Sequence, residues 1–268
     1  MILKPNVIHL HFGLEKPVRI LHLTDPHISI ADDRDVEWCM QRAADRRNVF
    51  FKEAEFPARD PIGYLEEAME YSKNFDCTVI TGDVMDHAFH GTCAVTEKLL
   101  AGKDYLFCAG NHEYLKYVAE KEFSRDIPSV LREVQACFRG NMDFESRIVG
   151  GVNVIAANNG TVLWRKELLP LLEAEVAKGL PILLFCHCPL NDRMRSLEYD
   201  REKFLKSGVT EEEIAASVDI INYIAEQPLI KATFAGHYHF NATESINGKT
   251  TYILGGLFKG IVGEIYID

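Results

Sequence analysis

No two cysteines in this chain stand in a CxxC spacing, and the seven that occur, at 39, 77, 93, 108, 137, 186 and 188, are scattered. An odd number with no framework spacing argues against a disulfide scaffold and fits reduced thiols in a cytoplasmic protein. Long hydrophobic runs are also missing: stretches such as Leu180–Cys186 are far too short to span a membrane. The first residues are broken by Lys4, His9, His11, Glu15 and Lys16, so no signal-peptide core is expected there. There is no long basic run, and the net charge is −11, which argues against non-specific affinity for nucleic acid. Internal repeats and low-complexity tracts are absent as well. What remains is a chain of 268 residues, 47% hydrophobic, able to bury one sizeable core. A single domain over 1–268 is the expectation.

The local patterns place strands and helices along it. Val7–Phe12 and Val18–Leu23 read as strands joined by a turn over Gly13–Pro17. Asp60-Pro61 opens a helix, with Asp60 as N-cap and Pro61 at the first position, and Ile62, Leu65, Met69 and Ser72 share one face. Cys77–Thr81 is the next apolar run. Helices are expected near 92–101, 128–137 and 164–178, and strands over 104–108, 147–156 and 181–186. Thr210 and Glu213 form a capping box ahead of Ile214, Val218, Ile221 and Ala225, and Asn247-Gly248 reads as a type I′ hairpin turn. Alternating strands and helices followed by an all-β end suggest a layered α/β domain with two sheets and helices outside.

Five of the apolar runs lead into residues of a kind that binds metals. Val18–Leu23 leads to Asp25 and His27, Cys77–Thr81 to Gly82, Asp83 and Asp86, and Tyr105–Cys108 to Gly110, Asn111, His112 and Glu113. Ile182–Cys186 leads to His187, and Ala232–Ala235 to Gly236, His237 and His239. Ligands collect beyond the carboxyl ends of strands in open α/β sheets, so five such ends would build one site. Asp25/His27 and His237/His239 share an i, i+2 spacing, which on an extended chain turns both members to one side. The glycines at 82, 110 and 236 permit the tight turn before each ligand. Imidazoles, carboxylates and an amide oxygen without thiolate suit Zn, Fe or Mn.

The ordered set DxH, GDxxD, GNHE, a lone His and GHxH resembles the calcineurin-like metallophosphoesterases, over residues 25 to 239. That resemblance implies a four-layer α/β/β/α sandwich of two mixed sheets flanked by helices, and a binuclear metal site. Asp25, His27 and His239 would hold one metal, Asn111, His187 and His237 the other, and Asp83 would bridge them. His112 would act as the catalytic acid beside the substrate phosphate, with Asp86 orienting its ring, and a water or hydroxide between the metals would be the nucleophile. The family's serine/threonine protein phosphatases carry an Arg after the second Asp of the GD motif, whereas this chain has His87. That departure turns the expectation toward a phosphodiesterase, with a small-molecule phosphomonoesterase or nucleotide pyrophosphatase as the alternative, and a non-catalytic scaffold as an alternative of another class. The implied partner is a small phosphorylated substrate, a nucleotide among the options.

Other residues carry weaker readings. His9 and His11 share the same spacing without partners and read as one face of an early strand. His87 and His90 are either substrate contacts or a surface loop. His22 packs or hydrogen-bonds on its strand, Cys186 and Cys188 face away from His187 into the core, and Glu113 braces its turn. The stretch from about Ile30 to Arg59, with Trp38, Phe50, Phe51 and Phe56 among dense charge, is an insertion longer than its connection needs. It is either a substrate-selecting lid or a helical decoration. Arg193, Arg195 and Tyr199 follow His187 and could grip a second phosphate or a base.

Overall fold

The computed structural model is described over residues 3–53, 60–114, 127–160, 163–191, 194, 201–206 and 209–268. Two mixed sheets stack face to face. The first has five strands in the order β1 (Lys4–Leu10), β11 (Ile261–Ile267), β2 (Val18–Leu23), β3 (Cys77–Thr81) and β4 (Leu106–Cys108). The second has six, β5 (Phe144–Val149), β6 (Val152–Ala157), β7 (Ile182–Phe185), β8 (Ile230–Ala235), β10 (Lys249–Ile253) and β9 (Ala242–Ile246). The sequence turn at Gly13–Pro17 does not make a hairpin: β11 lies between β1 and β2, parallel to β1 and antiparallel to β2.

The period-two alternation of the strands builds the layers. Val18 and Ile20, Cys77 and Val79, Val152 and Val154, Leu183 and Phe185, and Ala232 and Phe234 fill the space between the sheets. Their neighbours Leu21, Leu23, Ile80 and Phe107 face outward onto α2 (Pro61–Tyr71), α3 (His90–Leu100) and α5 (Ile127–Cys137). On the other side Ile155, Ile182, Leu184 and Ile230 pack under α6 (Leu168–Val176) and α8 (Glu211–Glu226). The order is helices, sheet, sheet, helices: the four-layer α/β/β/α sandwich.

The helix starts follow the expected chemistry. The Asp60 side chain accepts from the Ile62 amide with Pro61 in the first turn, and Tyr64, Leu65, Ala68 and Met69 form the buried face; Ser72 is the C-cap. Both halves of the Thr210–Glu213 capping box are formed. Asn247 and Gly248 take positive φ (49° and 79°), as a type I′ turn requires. The span 147–156, expected as one strand, is instead the hairpin β5–β6, folded back at Gly150 and Gly151 with φ of 54° and 89°. Two adjacent glycines tolerate the turn that the apolar residues on either side had concealed.

The remaining helices are α1 (Glu37–Glu53), α4 (Asn111–Tyr114) and α7 (Arg201–Lys206). Helix α1 falls inside the 30–59 stretch.

Candidate metal centre

Strands β2, β3 and β4 run parallel, and so do β6, β7 and β8, which puts the carboxyl ends of β2, β3, β4, β7 and β8 at one edge of the sandwich. The segments leaving β2 and β3 stay paired beyond the sheet. The Asp25 amide donates to the Gly82 carbonyl (3.0 Å), that of His27 to Asp83 (2.9 Å) and that of Ile28 to Val84 (2.8 Å). At the other sheet the Gly236 amide donates to the His187 carbonyl (2.9 Å). Asp25 ties the two sheets together, since its Oδ2 accepts from the His237 amide (3.0 Å) and the Thr24 hydroxyl (2.6 Å).

The convergence of Asp25 with His27 and of His237 with His239 does not come from an extended chain. Asp25, His27, Asp83, His237 and His239 all have φ between 50° and 71°. Non-glycine residues occupy this left-handed region at a cost of ~1–3 kcal/mol each, and such residues cluster at functional sites. Of Gly82, Gly110 and Gly236, only Gly82 (φ 76°) takes a left-handed turn conformation. Gly236 is needed for close approach: a Cβ there would stand 1.9 Å from Thr24 Oγ1 and 2.4 Å from Asp25 Oδ2.

Two groups of side chains result. In the first, Asp25 Oδ1 lies 3.5 Å from His27 Nε2 and 3.3 Å from His239 Nε2, and the two imidazole nitrogens are 2.9 Å apart. In the second, His187 Nε2 lies 3.0 Å from Asn111 Oδ1, 3.2 Å from His237 Nδ1 and 3.3 Å from Asp83 Oδ2. Asp83 Oδ2 is also 3.7 Å from His27 Nε2, so it stands between the groups. Asp25, His27, Asp83 and His187 are buried.

The hydrogen bonds fix which atoms are left over. His187 Nδ1–H donates to the Thr81 carbonyl (2.7 Å), and His27 Nδ1–H to Asp86 Oδ1 (3.2 Å). In the neutral rings Nε2 is then a lone pair, aimed at other lone pairs on Asp25, Asp83, Asn111 and His239. Asp25 Oδ1 is buried with no hydrogen-bond partner. Converging acceptors with an orphaned carboxylate oxygen fit cations, and the nitrogen and oxygen donors fit a transition metal. The carboxylates around these rings also favour positive charge at the centre. Burial alone would lower the proton affinity of His27, but Asp25 and Asp86 more than offset it and hold its pKa at about 10. Burial would likewise lower His187, which Asp83 keeps well above the ordinary range. Asp83, which burial would raise, is held well below it by His187 and His112.

His112 stands at the rim of both groups. Its amide donates to Asp83 Oδ1 (2.8 Å), and its Nε2 lies 3.9 Å from Asp83 Oδ2. The ring is oriented by Asp86 chiefly through the main chain: Nδ1–H donates to the Asp86 carbonyl at 2.8 Å, with the carboxylate at 3.4 Å. That carboxylate is turned to other partners, His27, His87 Nδ1 at 2.8 Å, and both Nε and Nη2 of Arg46 at 2.7 Å. Glu113 braces the turn as expected, accepting from the amides of Asp83, Gly110 and Met85.

Residues 18–241 match the calcineurin-like phosphoesterase family. The chain belongs to it. It is a metal-dependent phosphoric ester hydrolase. A probable cyclic nucleotide phosphodiesterase of Fibrobacter succinogenes is 26% identical over 245 residues, covering 89% of this phosphoesterase and 79% of the relative. In fold it is similar to a dimetal phosphatase from Danio rerio, at 12% identity and TM-score 0.50, with 91% and 89% of the two chains covered. It is also similar to the purple acid phosphatase PPD1 of yellow lupin, at 14% identity and TM-score 0.53, with 92% of this chain and 45% of that one covered.

Several residues of the phosphoesterase lie elsewhere than expected. His87 is buried beside Asp86 and accepts from Arg42 Nε (3.4 Å), and His90 Nδ1 pairs with Glu133 Oε1 (2.6 Å), so neither is a surface-loop residue. Cys186 packs in the outer core, but Cys188 does not face away: its sulfur lies within 4.8 Å of ligand atoms of His187 and His237. His22 hydrogen-bonds Thr81 Oγ1 (2.7 Å) between the sheets, while His9 stacks on Tyr266 far from the centre. Arg193, Arg195 and Tyr199 lie outside the described residues. Sequence reasoning gave no site role to Arg46 or to the stacking of Phe50 on His27 (4.6 Å, 21°). Their signal was the helical spacing of Cys39, Arg42, Ala43, Arg46 and Phe50 within the charge-rich stretch.

Proposed function

We propose that this chain hydrolyses a phosphodiester, with a nucleotide as the substrate class, at a binuclear metal centre. Asp25, His27 and His239 would hold one metal, Asn111, His187 and His237 the other, and Asp83 would be shared between them. The observation that carries this is Asp83 Oδ2, which stands 3.7 Å from His27 Nε2 and 3.3 Å from His187 Nε2 among nitrogens that have already spent their protons elsewhere. When bound, the two cations would supply charge neutralisation at the phosphoryl oxygens and a lowered pKa for a water.

The remaining work belongs to the chain. His112 faces the centre through Nε2, because Nδ1–H is committed to the Asp86 carbonyl. With Nδ1–H kept by that carbonyl, Nε2 carries a proton only in the imidazolium form; this second proton passes to the oxygen of the leaving alcohol as the ester bond breaks, and the ring is left neutral. Asp86 and Glu113 do not meet the substrate: the first holds rings, the second holds the amides of the turns.

Two features favour a diester over a protein-bound monoester. His87 occupies the place of the protein-phosphatase arginine, and its ring is buried against Asp86 rather than offered to substrate. The Fibrobacter relative bears a phosphodiesterase name. A cytoplasmic setting is supported by the cysteines, all seven of which lie among the described residues and form no disulfide. Among the described residues no helix is long and apolar enough to cross a membrane.

The test is turnover of a nitrophenyl phosphodiester against the matching monoester with Mn²⁺ added. A higher kcat/KM for the diester is expected; preference for the monoester would move the substrate to phosphorylated metabolites and overturn the diester reading.

A further inference from the structure

Helix α1 reaches the metal centre with a built contact. Its inner stripe begins at Cys39 and Ala43, which pack on Phe89. It ends at Arg46 and Phe50, one turn apart. Phe50 is buried, stacks on the His27 ring and tilts against Phe258 (4.8 Å). The Arg46 guanidinium lies 4.9 Å over the Phe50 ring and takes both oxygens of Asp86 at 2.7 Å.

Asp86 is wholly buried, and a buried carboxylate is retained only when paired and hydrogen-bonded. It is also the outer acceptor for His27 Nδ1–H, and such a partner fixes which nitrogen of a ligating imidazole is free. A bidentate guanidinium constrains the carboxylate in plane and rotation more than a single contact does. The contacts therefore run in series from α1 through Arg46 and Asp86 to the His27 ring. In the second group of ligands His187 leans instead on the Thr81 carbonyl, a main-chain atom of β3.

We propose that Arg46 is a positioning residue of the metal centre: by locking Asp86 it fixes the His27 ring, so that helix α1 sets the affinity of the Asp25–His27–His239 site and not that of the Asn111–His187–His237 site. This rests on the two-metal reading above. The 30–59 segment is then neither a decoration nor only a cover; part of it belongs to the machinery.

The experiment is equilibrium binding of Mn²⁺ to the metal-stripped full chain, with thermal unfolding alongside, for wild type, Arg46→Ala, Arg46→Lys and the exposed neighbour Arg47→Ala. Two sites are expected in wild type and Arg47→Ala. In Arg46→Ala one site weakens by ~10–100-fold while the other is unchanged, and Arg46→Lys recovers part of the loss. Wild type binding fewer than two equivalents would overturn the two-metal reading itself. Wild type binding two while Arg46→Ala binds both unchanged would overturn the role of Arg46, as would an equal loss at both sites. If Arg46→Ala does not fold, Arg46→Lys decides by the same one-site criterion.

Discussion

At the scale of single residues, His112 allows a sharp separation of roles. Its Nδ1–H is engaged by a main-chain carbonyl and its Nε2 faces the centre, so the imidazolium form can deliver the Nε2 proton and become neutral. His112→Gln is expected to keep the metal content of wild type and to lose ~10²–10⁴-fold in kcat on an alkyl diester, with a smaller loss on a nitrophenyl ester, whose leaving group needs no proton. Equal losses on both esters would contradict a proton-donating role. The residues that carry this chemistry were legible because each follows an apolar run and the motifs occur in order. Their backbone was not. The i, i+2 spacing was right about convergence for a wrong reason: Asp25, His27, His237 and His239 meet through left-handed φ angles, not strand alternation. Such angles are imposed by paired loops and contacts to Asp25, which only the folded chain supplies.

At the scale of elements, legibility followed local chemistry. Caps and the Asn247-Gly248 turn were readable because neighbours in sequence make them. The capping box at Thr210 gives a quantitative check: Thr210→Ala is expected to cost ~1 kcal/mol in a denaturation titration and to leave kcat/KM unchanged, since α8 packs beneath the second sheet. A stability unchanged within error would mean that the cap carries nothing. Pairings between distant segments were less readable. The insertion of β11 between β1 and β2 could not be read locally, and the Gly150-Gly151 turn was hidden inside an apolar span. Helix α1 was the costliest omission. Its arginines looked like part of a dense charge scatter, but two of them fall on the inner stripe with Phe50, where Arg46 meets the buried Asp86 and Arg42 the His87 ring.

At the scale of the whole molecule, the layer between the sheets is apolar apart from a few groups such as His22, which sets an edge of its own. His22 packs edge-on against Phe185 and Phe234, and burial pushes its pKa down to about 3, with Asp25 offsetting part of the effect. The unfolded chain takes up that proton below ~6.5 and the folded one refuses it, so stability from this group is full above ~6.5 and falls as pH drops toward about 3. The slope is at most ~1.4 kcal/mol per pH unit for one proton. Urea midpoints at pH 7 and 5 should therefore diverge less in His22→Gln than in wild type; equal slopes would show that the ring takes its proton inside the fold.

The same architecture brings five strand ends to one edge, and the central claim is that this edge holds two metals through a shared Asp83. Metal content per chain, measured together with diester turnover for wild type and Asp83→Asn, tests it most directly. Two equivalents and turnover are expected in wild type, and loss of turnover with loss of at least one metal in the variant. Undiminished turnover by Asp83→Asn, or by wild type stripped of metal, would contradict it.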